Sequence, residues 1–229
     1  MSGNKSPMSM IIVSRPFSSG DLVAGHPALD LVNTVTARNT ASPRDWLDGY
    51  ERLLEWARLA DITEEKALTL LGKQAALALE SAARALARLK RFREALHTAY
   101  AALLSGKRVP QPILDDLAMV WLEAQSRLRL EYSDNCVAAR VSVERSGFDL
   151  IRDCMAGSAI ELLQRLPANR ARICRGHSCG WLFIDSSKGG QRVWCDMATC
   201  GNAAKTRRHQ ENAERRRRTG RRPAKRAPE

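Results

Sequence analysis

The chain of 229 residues has no long apolar run. A membrane-spanning helix needs about 20 consecutive apolar residues, and no hydrophobic stretch comes near that length. The stretch Met8-Ser9-Met10-Ile11-Ile12-Val13 is too short for the apolar region and cleavage site of a secretory leader. The expected setting is the reducing cytoplasm, with no membrane partner. Histidine is scarce: four residues, none paired at metal-ligand spacing, which gives no support for a histidine-built catalytic metal centre. There is no phosphate-cradling glycine loop, no nucleophile motif and no internal repeat, so the sequence gives no support for an enzyme.

Acidic residues are scarce at one end only. Residues 170–229 hold 16 Lys/Arg against 5 Asp/Glu, whereas residues 1–169 hold 21 against 20. Almost all of the net charge of +12 therefore sits at the C-terminal end. A neutral body with a strongly basic end points to a polyanionic partner bound at that end. The length suits one ordinary domain plus a small module, and the 44% hydrophobic content is normal for a globular core.

Four of the six cysteines, Cys174, Cys179, Cys195 and Cys200, form two C-x4-C pairs separated by fifteen residues. Four thiolates suit the tetrahedral preference of Zn²⁺, and each pair can wrap a short loop around the ion. Two disulfides would need an oxidising compartment, which nothing here supplies. The expectation is a structural zinc held by all four, with His177 and His209 as substitute ligands or, more simply, surface residues. Four thiolates fill the tetrahedron and leave no open position for water, which again argues against catalysis. Cys136 and Cys154 lack ligand spacing and are expected to be buried as small hydrophobes.

The spacer predicts a β-hairpin, with Trp181-Leu182-Phe183-Ile184 and Arg192-Val193-Trp194 as strands and Ser186-Ser187-Lys188-Gly189-Gly190 as the turn. After Cys200 the chain becomes polar, basic and helix-compatible. Knuckle, hairpin, second ligand pair and basic helix together make a small treble-clef-like zinc finger.

The run Trp194-Cys195 to Cys200-Gly201-Asn202, followed by Lys205 and Arg207, resembles the CGNR zinc-finger family. The run Gly25-His26-Pro27-Ala28-Leu29-Asp30-Leu31-Val32-Asn33-Thr34 resembles the opening of the ABATE domain that usually precedes that finger. The resemblance implies a bacterial, stress-induced transcription regulator. One departure stands out: the fourth residue of the signature is Ala203 here, not Arg. A phosphate contact or brace made by that arginine would be missing from this chain.

The expected organisation is a flexible N-terminus (1–19), an ABATE-like mainly helical α+β domain (20–169), a CGNR-type finger with its basic helix (170–213) and a disordered basic tail (214–229). Within the body, Ala28–Thr36 is expected to run as a helix on which Asp30, Asn33 and Thr34 form one polar strip. With His26 and Arg38 nearby, the strip either lines a small-molecule pocket or hydrogen-bonds neighbouring backbone and locks the domain. A helix start is expected at Ser42-Pro43-Arg44-Asp45 with a stripe of Trp46, Leu47, Tyr50, Leu53, Leu54 and Ala57 behind it. Another start falls at Thr63-Glu64-Glu65-Lys66, with a break or bend near Gly72 and a long helix over about Gln74–Leu104. Arg84, Arg88, Lys90, Arg91 and Arg93 on it are expected to form a solvated face. A helix over Pro112–Ala124, a β-hairpin turning at Ser133-Asp134-Asn135, and a helix over Phe148–Leu166 complete the body.

These features make the expected function a zinc-finger DNA-binding transcription regulator whose N-terminal domain binds a small-molecule effector or forms a homo-oligomer. Lys205, Arg207 and Arg208 would approach the duplex, and Arg215, Arg216, Arg217 and Arg218 would add phosphate contacts. Asn202 is a base reader or a helix cap. The alternative is an RNA- or protein-interaction module attached to a small-molecule-binding domain. In that case Trp181, Phe183 and Trp194 form a surface stacking platform instead of the hairpin core.

Overall fold

The computed structural model describes residues 15–133 and 135–218. Most of the expected flexible N-terminus, and the basic tail beyond residue 218, lie outside these residues. The described start is tied down: Arg15 pairs with Asp21, and the Phe17 N–H donates to Glu55 at 2.7 Å.

Pro27 pre-sets the first turn of a short helix, α1 (Pro27–Val32), and the His26 imidazole caps it by accepting the Ala28 N–H at 3.1 Å. The helix does not run to Thr36 as expected. It stops at Asn33, and β1 (Val35–Thr36) pairs antiparallel with β2 (Arg44–Asp45). That ladder occupies the residues expected to begin the next helix. Asp45 instead caps the following turn by accepting the Leu47 N–H at 3.0 Å, and α2 (Tyr50–Leu59) starts after Gly49. It buries Tyr50, Leu53, Leu54, Trp56 and Ala57, one stripe at the 3.6-residue period.

The expected break at Gly72 does not occur. Gly72 lies inside α3 (Glu65–Leu77), where an added Cβ would stand 3.6 Å from Leu54 Cδ1. The chain breaks at Ala78 and resumes as α4 (Leu79–Leu104). This 26-residue helix is the axis of the body, burying Ala82, Ala85, Leu86, Leu89, Phe92, Leu96, Ala99 and Tyr100 on one side. It packs against α1, α2 and α3.

Its basic residues are not a solvated face. Arg84 and Arg91 are exposed, but Arg93 is buried and donates to both carboxylate oxygens of Asp45, at 2.8 and 2.9 Å, and to Thr34 at 3.0 Å. Lys90 also pairs with Asp45. Burial pushes the Asp45 carboxyl up, and the two cations outweigh that effect and hold it at about 2. Arg88 binds Asp149 through two bonds of 2.9 Å. A guanidinium is tolerated in an interior only when paired in this way.

Next come α5 (Gln111–Ser126), the hairpin β3 (Arg129–Ser133) and β4 (Cys136–Arg140), the short α6 (Val143–Ser146) and α7 (Leu150–Gln164). Helix α7 lies against α4 and α5. Tyr100 donates to the Ala159 carbonyl at 2.9 Å, Arg127 to Asp153 at 2.7 Å and Arg152 to Glu123 at 2.9 Å. The hairpin has the expected alternation, but its apolar residues face outward, with Leu130 75% and Tyr132 73% exposed. Cys136 is exposed there, against expectation, and Cys154 is half-buried on α7.

Pro167 to Arg170 form a turn closed by the Pro167 carbonyl, which accepts from the N–H groups of Arg170 and Ala171 at 2.7 Å each. The last sheet pairs β5 (Ala171–Ile173) with β6 (Leu182–Ile184), and α8 (Asn202–Arg218) ends the described chain. The expected tail from residue 214 thus begins as helix. No described helix is long and apolar enough to cross a membrane.

Candidate metal centre and nucleic-acid interface

The finger is built on a different hairpin from the expected one. The strand Leu182–Ile184 pairs with Ala171–Ile173, ahead of the first cysteine, and not with Arg192–Trp194. The loop between β5 and β6 is therefore the first metal knuckle, closed where the Cys174 N–H donates to the Trp181 carbonyl at 2.7 Å. Residues 185–194 instead form a loop gathered by Asp185, which accepts from the N–H groups of Ser187 at 2.9 Å and Arg192 at 2.7 Å. That loop returns Cys195 to the knuckle.

The four sulfurs of Cys174, Cys179, Cys195 and Cys200 lie within 4.8 Å of one another. Cys179–Cys195 and Cys195–Cys200 are each 3.7 Å apart. Tetrahedral Zn–S bonds of about 2.3 Å place sulfurs about 3.8 Å apart, so the site fits Zn²⁺. Cys174 Sγ accepts N–H bonds from Gly176 and Cys195 at 3.3 Å each, the outer-shell support that thiolate ligands require. Gly176 is needed at the knuckle, because an added Cβ would come within 2.9 Å of Cys200 Sγ. Crowding divides the ionisation of the sulfurs. Hydrogen bonds from the Cys179 and Cys195 thiols draw Cys174 far below the usual thiol range, and their contact with Cys174 pushes Cys179 and Cys195 up. A bound Zn²⁺ would replace that shared proton network with one divalent charge. His177 and His209 are exposed and outside the cluster.

The fourth ligand is carried by a wide π-turn, Met197–Gly201, capped by Asp196, which accepts the Thr199 N–H at 2.9 Å. Helix α8 leaves directly from this turn. Asn202 donates to the Ala198 carbonyl at 3.1 Å and so braces the junction. Beyond it Lys205, Arg207, Arg208, Arg215, Arg216 and Arg217 are all exposed, and Arg218 closes the helix. At 100° per residue, Lys205, Arg208, Arg215 and Arg216 share one side, and Arg207 faces another.

The residues singled out near the N-terminus do not surround one pocket. Asn33 donates to the Leu182 carbonyl at 2.9 Å and accepts the Leu182 N–H at 3.0 Å. Asp30 accepts the Ala24 N–H at 3.0 Å, and the Ala24 carbonyl receives the Ile184 N–H at 2.8 Å. Arg38 pairs with Glu94 at 2.7 Å, and His26 caps α1. The cavity that Asp30 and Asn33 line is about 10 Å³, room for about one water. The polar strip is thus a clasp holding β6 against α1. Sequence reasoning missed that its partner was the finger, and no local pattern marks a contact 149 residues away. It also missed Arg192, which reaches back to the Val23 carbonyl at 3.1 Å and lies 4.5 Å over the Phe183 ring. Phe183 is fully buried, and Trp181 donates to the Val35 carbonyl at 3.1 Å, so neither forms an open stacking platform.

The ABATE family model, described as "Putative stress-induced transcription regulator", matches residues 25–165. The model of the CGNR zinc finger matches residues 170–213. Neither description names a catalytic activity. No curated protein matches the chain.

Proposed function

The chain belongs to the ABATE family and carries a CGNR zinc finger behind that domain, and from this we propose that it is a cytoplasmic DNA-binding transcription regulator. One observation carries the proposal: a 17-residue basic helix leaves the last zinc ligand with its residues 205–217 exposed. At about 1.5 Å per residue it spans about 25 Å, enough to follow a groove or cross a phosphate backbone. Its polar composition gives it no apolar face to bury, so its stability on a target comes from charge neutralisation. The zinc fixes the start of the helix, and the ABATE domain fixes the finger through Asn33, Ala24 and Val35.

In this account the protein acts by binding and not by catalysis, and four thiolates complete the metal's coordination. The ABATE domain receives the signal or joins two copies, and its clasp on β6 transmits any shift of α1 to the finger. The buried Phe183 favours duplex DNA over single-stranded RNA held by stacking. The test is salt-dependent binding of duplex DNA by zinc-loaded protein with and without α8. With six to ten phosphates neutralised, affinity falls by about 10³–10⁵ between 50 and 200 mM salt.

A further inference from the structure

The missing signature arginine leaves a space. Ala203 stands on the first turn of α8 and helps line a hollow of about 220 Å³ between that helix and the first metal knuckle. Arg175 to Ser178 form the opposite wall, and Arg207 lies one helical turn beyond Ala203 on the same side. The metal ligands Cys179 and Cys200 also line the hollow, so their thiolate charge must be offset by the arginines. The side chains of Arg175 and Arg207 have no hydrogen-bond or ion-pair partner among the described residues. Both are exposed and border the hollow from opposite walls. Gly176 matters here too: the close approach of the knuckle to Cys200, just ahead of α8, is possible because position 176 has no Cβ.

We infer that this hollow seats one backbone phosphate of duplex DNA, with Arg175 and Arg207 supplying from its two walls the positive charge that Ala203 does not. This rests on the DNA-binding function proposed above. Two guanidinium groups on opposite walls suit a tetrahedral anion with several acceptor oxygens, and the Ser178 hydroxyl adds a neutral donor. Ala203 and Arg207 lie on the side of α8 away from Lys205 and Arg216, so a groove that straddles the helix sets one strand against Lys205, Arg208, Arg215 and Arg216 and the other strand at the hollow. A free anion in bulk solution offers the same oxygens, but the duplex brings its phosphate already held by contacts along α8.

The test uses zinc-loaded full-length protein and a random duplex, with affinity measured over a salt series and zinc content measured on every sample. Arg175→Ala and Arg207→Ala are each expected to weaken binding about tenfold and to reduce the log–log salt slope by about 0.9, with full zinc content. Ala203→Arg in the Arg207→Ala background is expected to recover affinity, because the new guanidinium enters the same hollow. Four results would overturn the assignment. In the first, wild type binds but both alanine variants match it in affinity and slope, which leaves DNA binding intact and removes the seat. In the second, the variants lose zinc, showing that the arginines serve to balance the thiolates. In the third, inorganic phosphate displaces the duplex at submillimolar concentration, or single-stranded RNA binds more tightly than duplex, making the hollow a free-anion or RNA site. In the fourth, wild type binds no duplex at any salt concentration, and the DNA-binding proposal itself fails.

Discussion

Asn33 and Leu182 exchange two hydrogen bonds, the Asn33 amide donating at 2.9 Å and accepting at 3.0 Å. A side-chain amide has the same donor–acceptor pair as a peptide group, so Asn33 acts as one further strand residue beside β6. Both bonds are buried, with Asn33 3% exposed. They join the first helix to the finger and make the two family segments one core.

Asn33→Leu leaves the Leu182 N–H and carbonyl buried without partners, at about 1–3 kcal/mol for each. The expected loss is about 2–6 kcal/mol in urea unfolding, with zinc still bound because no ligand is touched. Stability unchanged within 0.5 kcal/mol, about the scale of neutral surface substitutions, would contradict the clasp.

Removing zinc should act locally first. Metal binding supplies about 10–16 kcal/mol to small finger modules, whereas the α4-centred bundle contributes most of the shared apolar core. With a chelator, or in Cys195→Ser, hydrogen exchange is expected to accelerate at the amides of Leu182 and Ile184 and to remain slow through Leu89 and Leu96. Uniform loss of protection would mean that the body cannot stand without the finger.

Asp30 gives the clasp a pH dependence. Burial raises its carboxyl to about 7, against the pull of the Ala24 N–H. The folded chain thus keeps a proton that the unfolded chain releases near pH 4. The stabilisation is complete below about pH 4 and is lost as pH rises through about 7, up to about 4 kcal/mol in all. Asp30→Asn retains the acceptor for Ala24 and removes the titration. Urea midpoints measured from pH 5 to pH 8 should fall in the wild type and change less in the variant; parallel curves would refute the assignment.

The metal ligands and most helices were legible because they depend on spacing: two C-x4-C pairs, and apolar stripes on α2, α4 and α7. What was not legible depends on partners distant in sequence. Arg93 carries no local mark that separates it from exposed Arg91, and only Asp45 and Thr34 reveal its burial. The strand beside Leu182 is Ala171–Ile173 because the knuckle itself makes the turn, although Arg192–Trp194 has equally good strand composition. Ala78 breaks a helix with neither glycine nor proline, while Gly72 sits unbroken against Leu54. On the exposed hairpin Leu130 and Tyr132 keep the alternation of a buried face, so pattern alone gave the strand but not its burial.

The central claim is that α8 carries DNA binding, and the most direct test compares two zinc-loaded proteins on a random duplex over a salt series. One is the full chain and the other ends at Ala204. That cut keeps all four cysteines and the clasp to Asn33, whereas a cut ahead of the finger would strip Asn33 and Val35 of their partners. The account predicts tight, steeply salt-dependent binding by the full chain, and loss of most affinity and most of the salt slope in the shortened one at equal zinc content. Equal affinity and slope in the two proteins would contradict it.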